Sequence, residues 1–252
     1  MRRTLLGAIC LLFLAGTIQY SEVSIAANRI VYSNKDLHYK LKLPEGWEEI
    51  PKSAIDEASA SVKASSNIIS AKLIKFDAAF QKKANAYFTF PYLLISNRID
   101  DTQTLGELKN SLLEELSATK QKQGTLASIA EEMKMKFNNW NLNVDETRKR
   151  IIVTFDADSA VGGLRASIVS IPGKYGTVML NIYSYKEPDY SDVKDINYIM
   201  DNFAFDRDAE YSTFWKYISK LTTPKAIKAA TTGAFLALLW PIISKLRKKN
   251  IT

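Results

Sequence analysis

The sequence predicts an α+β fold, an antiparallel β-sheet covered by helices, set between two apolar end segments. Two observations predict it. From Lys136 onward, apolar residues recur with period two through four successive runs divided by short turns, the pattern of an antiparallel meander. Two other stretches carry apolar residues at helical spacing, one before the meander and one after it. Strands and helices therefore segregate instead of alternating, which separates α+β from the βαβ order of a parallel sheet.

Taken in order, Met1-Arg2-Arg3 followed by the apolar run Leu5 to Ile18 predicts a signal peptide over residues 1–26. Ser24 and Ala26 supply small residues at −3 and −1 for cleavage before Ala27, with a cut after Ala27 as the alternative. Thr17 stands where a lipid-accepting cysteine would follow Leu14-Ala15-Gly16, so lipidation is not expected. The single cysteine, Cys10, lies inside the apolar run, which leaves the mature chain without disulfides, thiol nucleophiles or thiolate metal ligands. Residues 27–207, the expected domain, are numerous enough to bury a core without such staples.

Within that domain, Arg29 to Ser33 and Tyr39 to Leu43 read as a hairpin turning at Ser33-Asn34-Lys35-Asp36, and Pro44-Glu45-Gly46-Trp47 ends it. Ser53 and Glu57 suit the start of a short helix running toward Lys63. Lys72 to Asp77 and Tyr87 to Asn97, rich in aromatic and branched residues, read as strands. Thr104 with Glu107 three residues later forms a capping box ahead of the stripe Leu105, Leu108, Leu112, Leu113 and Leu116, and Gly124 stops that helix. The meander follows as Lys136 to Val144, Arg150 to Asp156, Leu164 to Ile171 and Thr177 to Tyr185, with turns at Asp145-Glu146-Thr147, Gly162-Gly163 and Pro172-Gly173. Ser191 to Asn202 closes the domain as a helix with Val193, Ile196, Ile199 and Met200 on its buried side.

Residues 208–225 read as an amphipathic juxtamembrane segment in which Phe214, Tyr217, Ile218 and Leu221 recur at helical spacing. Residues 226–246 read as a transmembrane helix, which at a rise of ~1.5 Å per residue spans about 31 Å, enough for the hydrocarbon core. Its anchor is Phe235, Leu236, Leu238, Leu239, Trp240, Ile242 and Ile243, with Lys245 reaching to the interface. Arg247, Lys248 and Lys249 make residues 247–252 a basic tail, which the positive-inside rule leaves in the cytoplasm. The domain is then expected on the extracytoplasmic side, periplasmic or cell-surface, and monomeric, with membrane lipid as a partner of the C-terminal helix.

The chain carries a formal charge of +7 and a pI near 9.2. Residues 225–252 hold six basic and no acidic residues and residues 1–26 add a net +1, so the domain between them is neutral. Its basicity belongs to the ends, and nucleic acid is not an expected partner.

Residues with chemical potential are few. His38 is the only histidine; on its expected strand it alternates with Leu37 and Tyr39, which makes it a solvated strand residue, and no Gly-x-Ser-x-Gly elbow accompanies it. Asp156 with Asp158, and Asp206 with Asp208, have the i, i+2 spacing of a pair that holds a hard cation, but loop solubility accounts for both. Gly162, Gly163 and Gly173 lack the lysine and hydroxyl context of a phosphate loop and read as turn glycines. Tyr87, Phe88, Phe90 and Tyr92 alternate across a strand, Trp47 and Trp140 read as core anchors, and Tyr183, Tyr185 and Tyr190 line an expected groove for a peptide or lipid. No catalytic, cofactor or metal residue is assigned.

The opening Tyr39-x-Leu41-x-Leu43-Pro44-x-Gly46-Trp47, the long middle helix, the meander and the close from Tyr190 to Phe203-Ala204-Phe205 resemble the PsbP/Mog1-like α/β/α sandwich domains over about residues 29–207. The resemblance implies a fold, and a group made mostly of adaptors and assembly factors without chemistry of their own. It does not carry over a photosystem or Ran partner. The expectation is an exported, membrane-anchored, non-enzymatic binding or assembly module for an unidentified protein or small ligand, with an extracytoplasmic hydrolase or metal-dependent enzyme as the alternative.

Overall fold

The computed structural model describes residues 23–26, 29–65, 76–99, 104–120, 136–159 and 162–210. The signal peptide, apart from Val23–Ala26, lies outside them, as do the juxtamembrane segment beyond Glu210, the anchor, most of the expected strand from Lys72 and the helix stop at Gly124. Among the described residues no helix is long and apolar enough to cross a membrane.

The strands are β1 (Val23–Ala26), β2 (Arg29–Asn34), β3 (Tyr39–Lys42), β4 (Trp47–Glu49), β5 (Ala78–Lys82), β6 (Tyr92–Ile99), β7 (Lys136–Asp145), β8 (Arg150–Ser159), β9 (Gly162–Pro172), β10 (Gly176–Tyr185) and β11 (Phe203–Phe205). The helices are α1 (Lys52–Ser65), α2 (Leu105–Lys120) and α3 (Tyr190–Asp201), followed by a 3-10 turn at Arg207–Ala209. Antiparallel pairing joins the strands into two sheets, β1-β2-β3-β11 and β4-β5-β6-β10-β9-β8-β7. The fold is thus α+β and antiparallel, as the segregated pattern predicts. The expected single sheet becomes two, because the β2-β3 hairpin pairs with β1 and β11 instead of joining the meander.

Two cores flank the larger sheet. Between the sheets lie Tyr32, Leu37, Tyr39, Leu41, Leu43, Phe80, Ile95, Val169 and Leu180, with Ile199 of α3. On the opposite face Ile55, Leu108 and Leu112 of α1 and α2 pack on Leu94, Val153, Phe155, Ile168 and Tyr183. Each large side chain buried this way stabilises by about 1.5–3 kcal/mol. Strand β10 is covered on both faces and exposes only Tyr185 at its end, which is why its apolar run is nearly continuous.

Local chemistry explains the helix limits. Thr104 Oγ1 accepts from the Glu107 amide at 3.1 Å while Glu107 Oε2 accepts from the Thr104 amide at 2.9 Å, completing the capping box. Asp189 caps α3 by accepting from the Asp192 amide at 2.8 Å. Trp47 Nε1 donates to Asp195 at 3.2 Å and Lys82 pairs with Asp192 at 3.1 Å, fastening α3 beside β4 and β5. Ile199 is fully buried as expected, but Val193 is 40% exposed, because the helix turns its neighbour Asp192, 7% exposed, inward to Lys82.

Other expectations are corrected. Phe76 and Asp77 form a link, and the strand begins at Ala78. Tyr87 to Phe90 belong to a loop and the strand starts at Tyr92, after Pro91, which has no N–H for a ladder. Trp47–Glu49 and Phe203–Phe205 pair as three-residue strands too short to show a period. Gly162 and Gly163 open β9 instead of forming the turn before it. His38 sits in the turn preceding β3 at φ 53°, exposed, and not on a strand.

Candidate functional site

The registers give the larger sheet two ends. Tyr92, Tyr185, Leu164 and Lys136 mark one, and Ile99, Gly176, Pro172 and Asp145 mark the other. The first, which we call the aromatic end, gathers the residues best placed to recognise a ligand.

The loop joining β5 to β6 is held by its neighbours. Gln81 Nε2 donates to Glu48 and to the Ala86 carbonyl, each at 3.0 Å, and the Lys83 amide donates to the Gly46 carbonyl at 2.8 Å. Held this way, the loop lays Phe90 flat on Tyr92, with centroids 5.4 Å apart and planes at 6°. Tyr92 in turn meets Tyr183 at 4.9 Å, and Phe90 meets Tyr185 edge-on at 5.2 Å. A ledge of four rings results, running from Tyr183, fully buried, to Tyr185, 54% exposed. Burial raises the Tyr92 and Tyr183 hydroxyls above the ordinary phenol range, so both stay neutral. Tyr87, 53% exposed, lies on the same loop, and Phe88 is folded inward against Tyr92 at 5.7 Å.

Beside the ledge runs an ionic network. Lys186 Nζ contacts the two Asp158 oxygens at 3.0 and 3.2 Å, and Asn138 Nδ2 donates to Asp158 at 2.7 Å. Asp156, 1% exposed, accepts from Asn139 Nδ2 at 2.7 Å and from Arg165 Nε at 2.8 Å. A β-bulge between Asn138 and Asn141, with Asn139 at φ 53°, brings both asparagines to these carboxylates; asparagine tolerates that left-handed backbone. Burial alone would raise the Asp156 carboxyl, yet the hydrogen bonds from Arg165 and Asn139 outweigh it and hold the group below the carboxylate range. Hydrogen bonds from Asn138 and Lys186 lower Asp158 in the same direction.

Asp156 and Asp158 share one face of β8, but their oxygens are engaged by protein cations and amides. Among the described residues no group of three or more His, Cys, Asp or Glu gathers in metal-binding range. His38 lies at the opposite end of the sheet, its ring 5.1 Å from Tyr175, so it meets neither aspartate of that pair. Asp206 pairs with Lys40 at 3.6 Å, and its amide donates to the His38 carbonyl. Trp47 is core, and Trp140 is half-buried at 4.5 Å from Phe155. Of the three tyrosines assigned to a groove, Tyr183 is buried, while Tyr185 and Tyr190 are exposed at one end of the sheet. The Phe90–Tyr185 and Lys186–Asp158 contacts had no signal in the sequence, since each joins residues far apart in the chain.

A concavity of about 270 Å³ opens at the other end and is lined by Arg148, Lys149, Arg150, Pro172, Phe205 and Glu210 among others. Arg150 donates there to Asp145, 3.1 Å away, and to the Met200 carbonyl, and Arg148 pairs with Asp201 at 3.3 Å. Its arginines thus tie the β7-β8 turn to the end of α3.

No family model matches the chain, and no curated protein matches it either. Among solved structures the chain is similar to the solution structure of cyanobacterial PsbP (CyanoP) from Synechocystis sp. PCC 6803, at 10% identity and a TM-score of 0.39, over 76% of this chain and 96% of that one. The likeness is one of fold alone.

Proposed function

We propose that this chain is an exported, membrane-held, non-enzymatic binding or assembly module whose partner docks on the four-ring ledge ending at Tyr185. The observation that carries the reading is the continuity of that ledge. An exposed ring backed by three others anchored in the core offers large apolar contact at low entropic cost. Lys186 and Asp158, held beside it, supply directional polar contacts at the rim. Such a surface suits a protein segment that presents an aromatic or branched side chain next to a hydrogen-bonding group. The apolar ends and neutral middle of the sequence support export and anchoring.

The test is photocrosslinking in intact membranes with a crosslinking residue at position 185 of the full chain, and at Val193, exposed on α3, for comparison. A defined adduct at 185 that is absent at 193 is expected. Identical adducts at both positions would sink the docking assignment. If His38→Ala alone reproduced the phenotype of deletion while the protein stayed folded, the enzymatic alternative would take its place.

A further inference from the structure

The described domain is entered and left at one end, and it is the end opposite the aromatic ledge. Strand β1 runs antiparallel to β2, with Val23 opposite Tyr32 and Ala26 opposite Arg29, so β1 begins on the side of the β2-β3 turn. At the other terminus Phe205 pairs with Tyr39, the Asp206 amide donates to the His38 carbonyl at 2.8 Å, and Glu210 bridges Gly173. Residues 19–22 separate the first apolar run from β1, and four residues reach at most about 14 Å. The second apolar run follows Glu210 after residues 211–225. With residues 1–26 removed, the C-terminal route still leaves from this end.

The surface there has the composition of a membrane interface. Tyr175, at the tip of the β9-β10 turn, is 37% exposed; Lys174 Nζ stands 5.0 Å over its ring and His38 lies 5.1 Å away. Ile99, 55% exposed, ends the neighbouring strand opposite Gly176. The tip is bolted to the departing chain, for the Lys174 amide donates to the Ala209 carbonyl at 3.0 Å and Gly173 bridges Glu210. Tyrosine and lysine favour the headgroup region, the ring at its apolar boundary and the ammonium in water. The nearby charges alternate in sign, Lys35 beside Asp36 and Arg207 beside Asp208, so the surface does not depend on anionic lipid.

We propose that this end, with Tyr175, Lys174 and Ile99 at its centre, lies against the lipid surface and points the aromatic ledge away from it. Resting on the membrane-held reading above, the assignment sets the ledge about 30 Å from the headgroups, the length of ten-residue strands at ~3.3 Å per residue. The full chain in a Cys10→Ser background is reconstituted into phosphatidylcholine vesicles containing brominated lipid, with a fluorophore attached through Asp36→Cys or Glu187→Cys. Several-fold stronger quenching at position 36 than at 187 is expected, unchanged when anionic lipid is added. Failure of the chain to float with the vesicles would overturn the membrane-held reading and this assignment together. Flotation with equal quenching at the two positions, or stronger quenching at 187, would overturn the orientation and leave the anchor standing.

Discussion

Asp156 shows how a residue can be noticed in a sequence and misread. Its spacing from Asp158 was visible, but its partner Arg165 lies directly across the ladder in β9. A turn placed at Gly162-Gly163 sits too late by about two residues to pair them, and every cross-strand neighbour shifts with such an error. The structure makes Asp156 a buried charge held by one arginine and one amide. Because its carboxyl is held below the ordinary value in the folded chain, its contribution is fully present above the unfolded value of ~3.9 and is lost as pH falls through the lower folded value. Asp156→Asn is expected to cost about 1–2 kcal/mol at neutral pH, moderated because Arg165 stays partly solvated. Thermal melts from pH 7 to pH 2.5 should show the wild-type advantage shrinking below about pH 4. Equal differences at every pH would show that the ionised form contributes nothing.

At the scale of elements, the meander was legible almost strand for strand because each run alternates over many residues and ends at polar or glycine-containing links. The three-residue β4 and β11 were not, since no period can be read from so few positions. Tyr87 to Phe90 carry the alternation of a strand without being one, because aromatic residues can alternate in a loop as well, and Pro91 stops the ladder. The tightest joint is the β9-β10 turn. A Cβ on Gly176, at φ 149°, would lie 1.9 Å from the Arg98 carbonyl oxygen and 2.9 Å from its carbon, with only backbone available to give way. Gly176→Ala is therefore expected to cost ~3 kcal/mol or more. Gly162→Ala, at φ 127° with open space around it, meets the backbone strain without the clash and should cost less, about 1–3 kcal/mol. Urea denaturation of the two variants decides; equal losses would mean the turn yields more freely than its packing implies.

For the whole molecule, α+β composition followed from pattern, but the division into two sheets did not, because alternation says which face a residue takes and not which hairpin lies beside it. Contacts also reach past residues 27 and 207. Ala209 is 1% exposed and receives the Lys174 amide, while β1 pairs with β2 ahead of Ala27. Residues 23–210 expressed alone should be folded without reductant and more stable than residues 27–207 by about 1–2 kcal/mol, as compared by denaturant midpoint. A shorter fragment of equal stability would show that these end contacts are superfluous. A final consequence concerns crowding. On the proposed membrane-held reading, copies tethered to one surface meet at high effective concentration, and a sheet with long, straight borders would then recruit its neighbours strand by strand into polymers. One border here is β4, only three residues long, and the other, β7, is interrupted by the bulge at Asn138 to Asn141. The interruption that aims Asn138 and Asn139 at their carboxylates thus also denies a neighbouring molecule a regular ladder to extend, so dense packing on a membrane need not end in fibres.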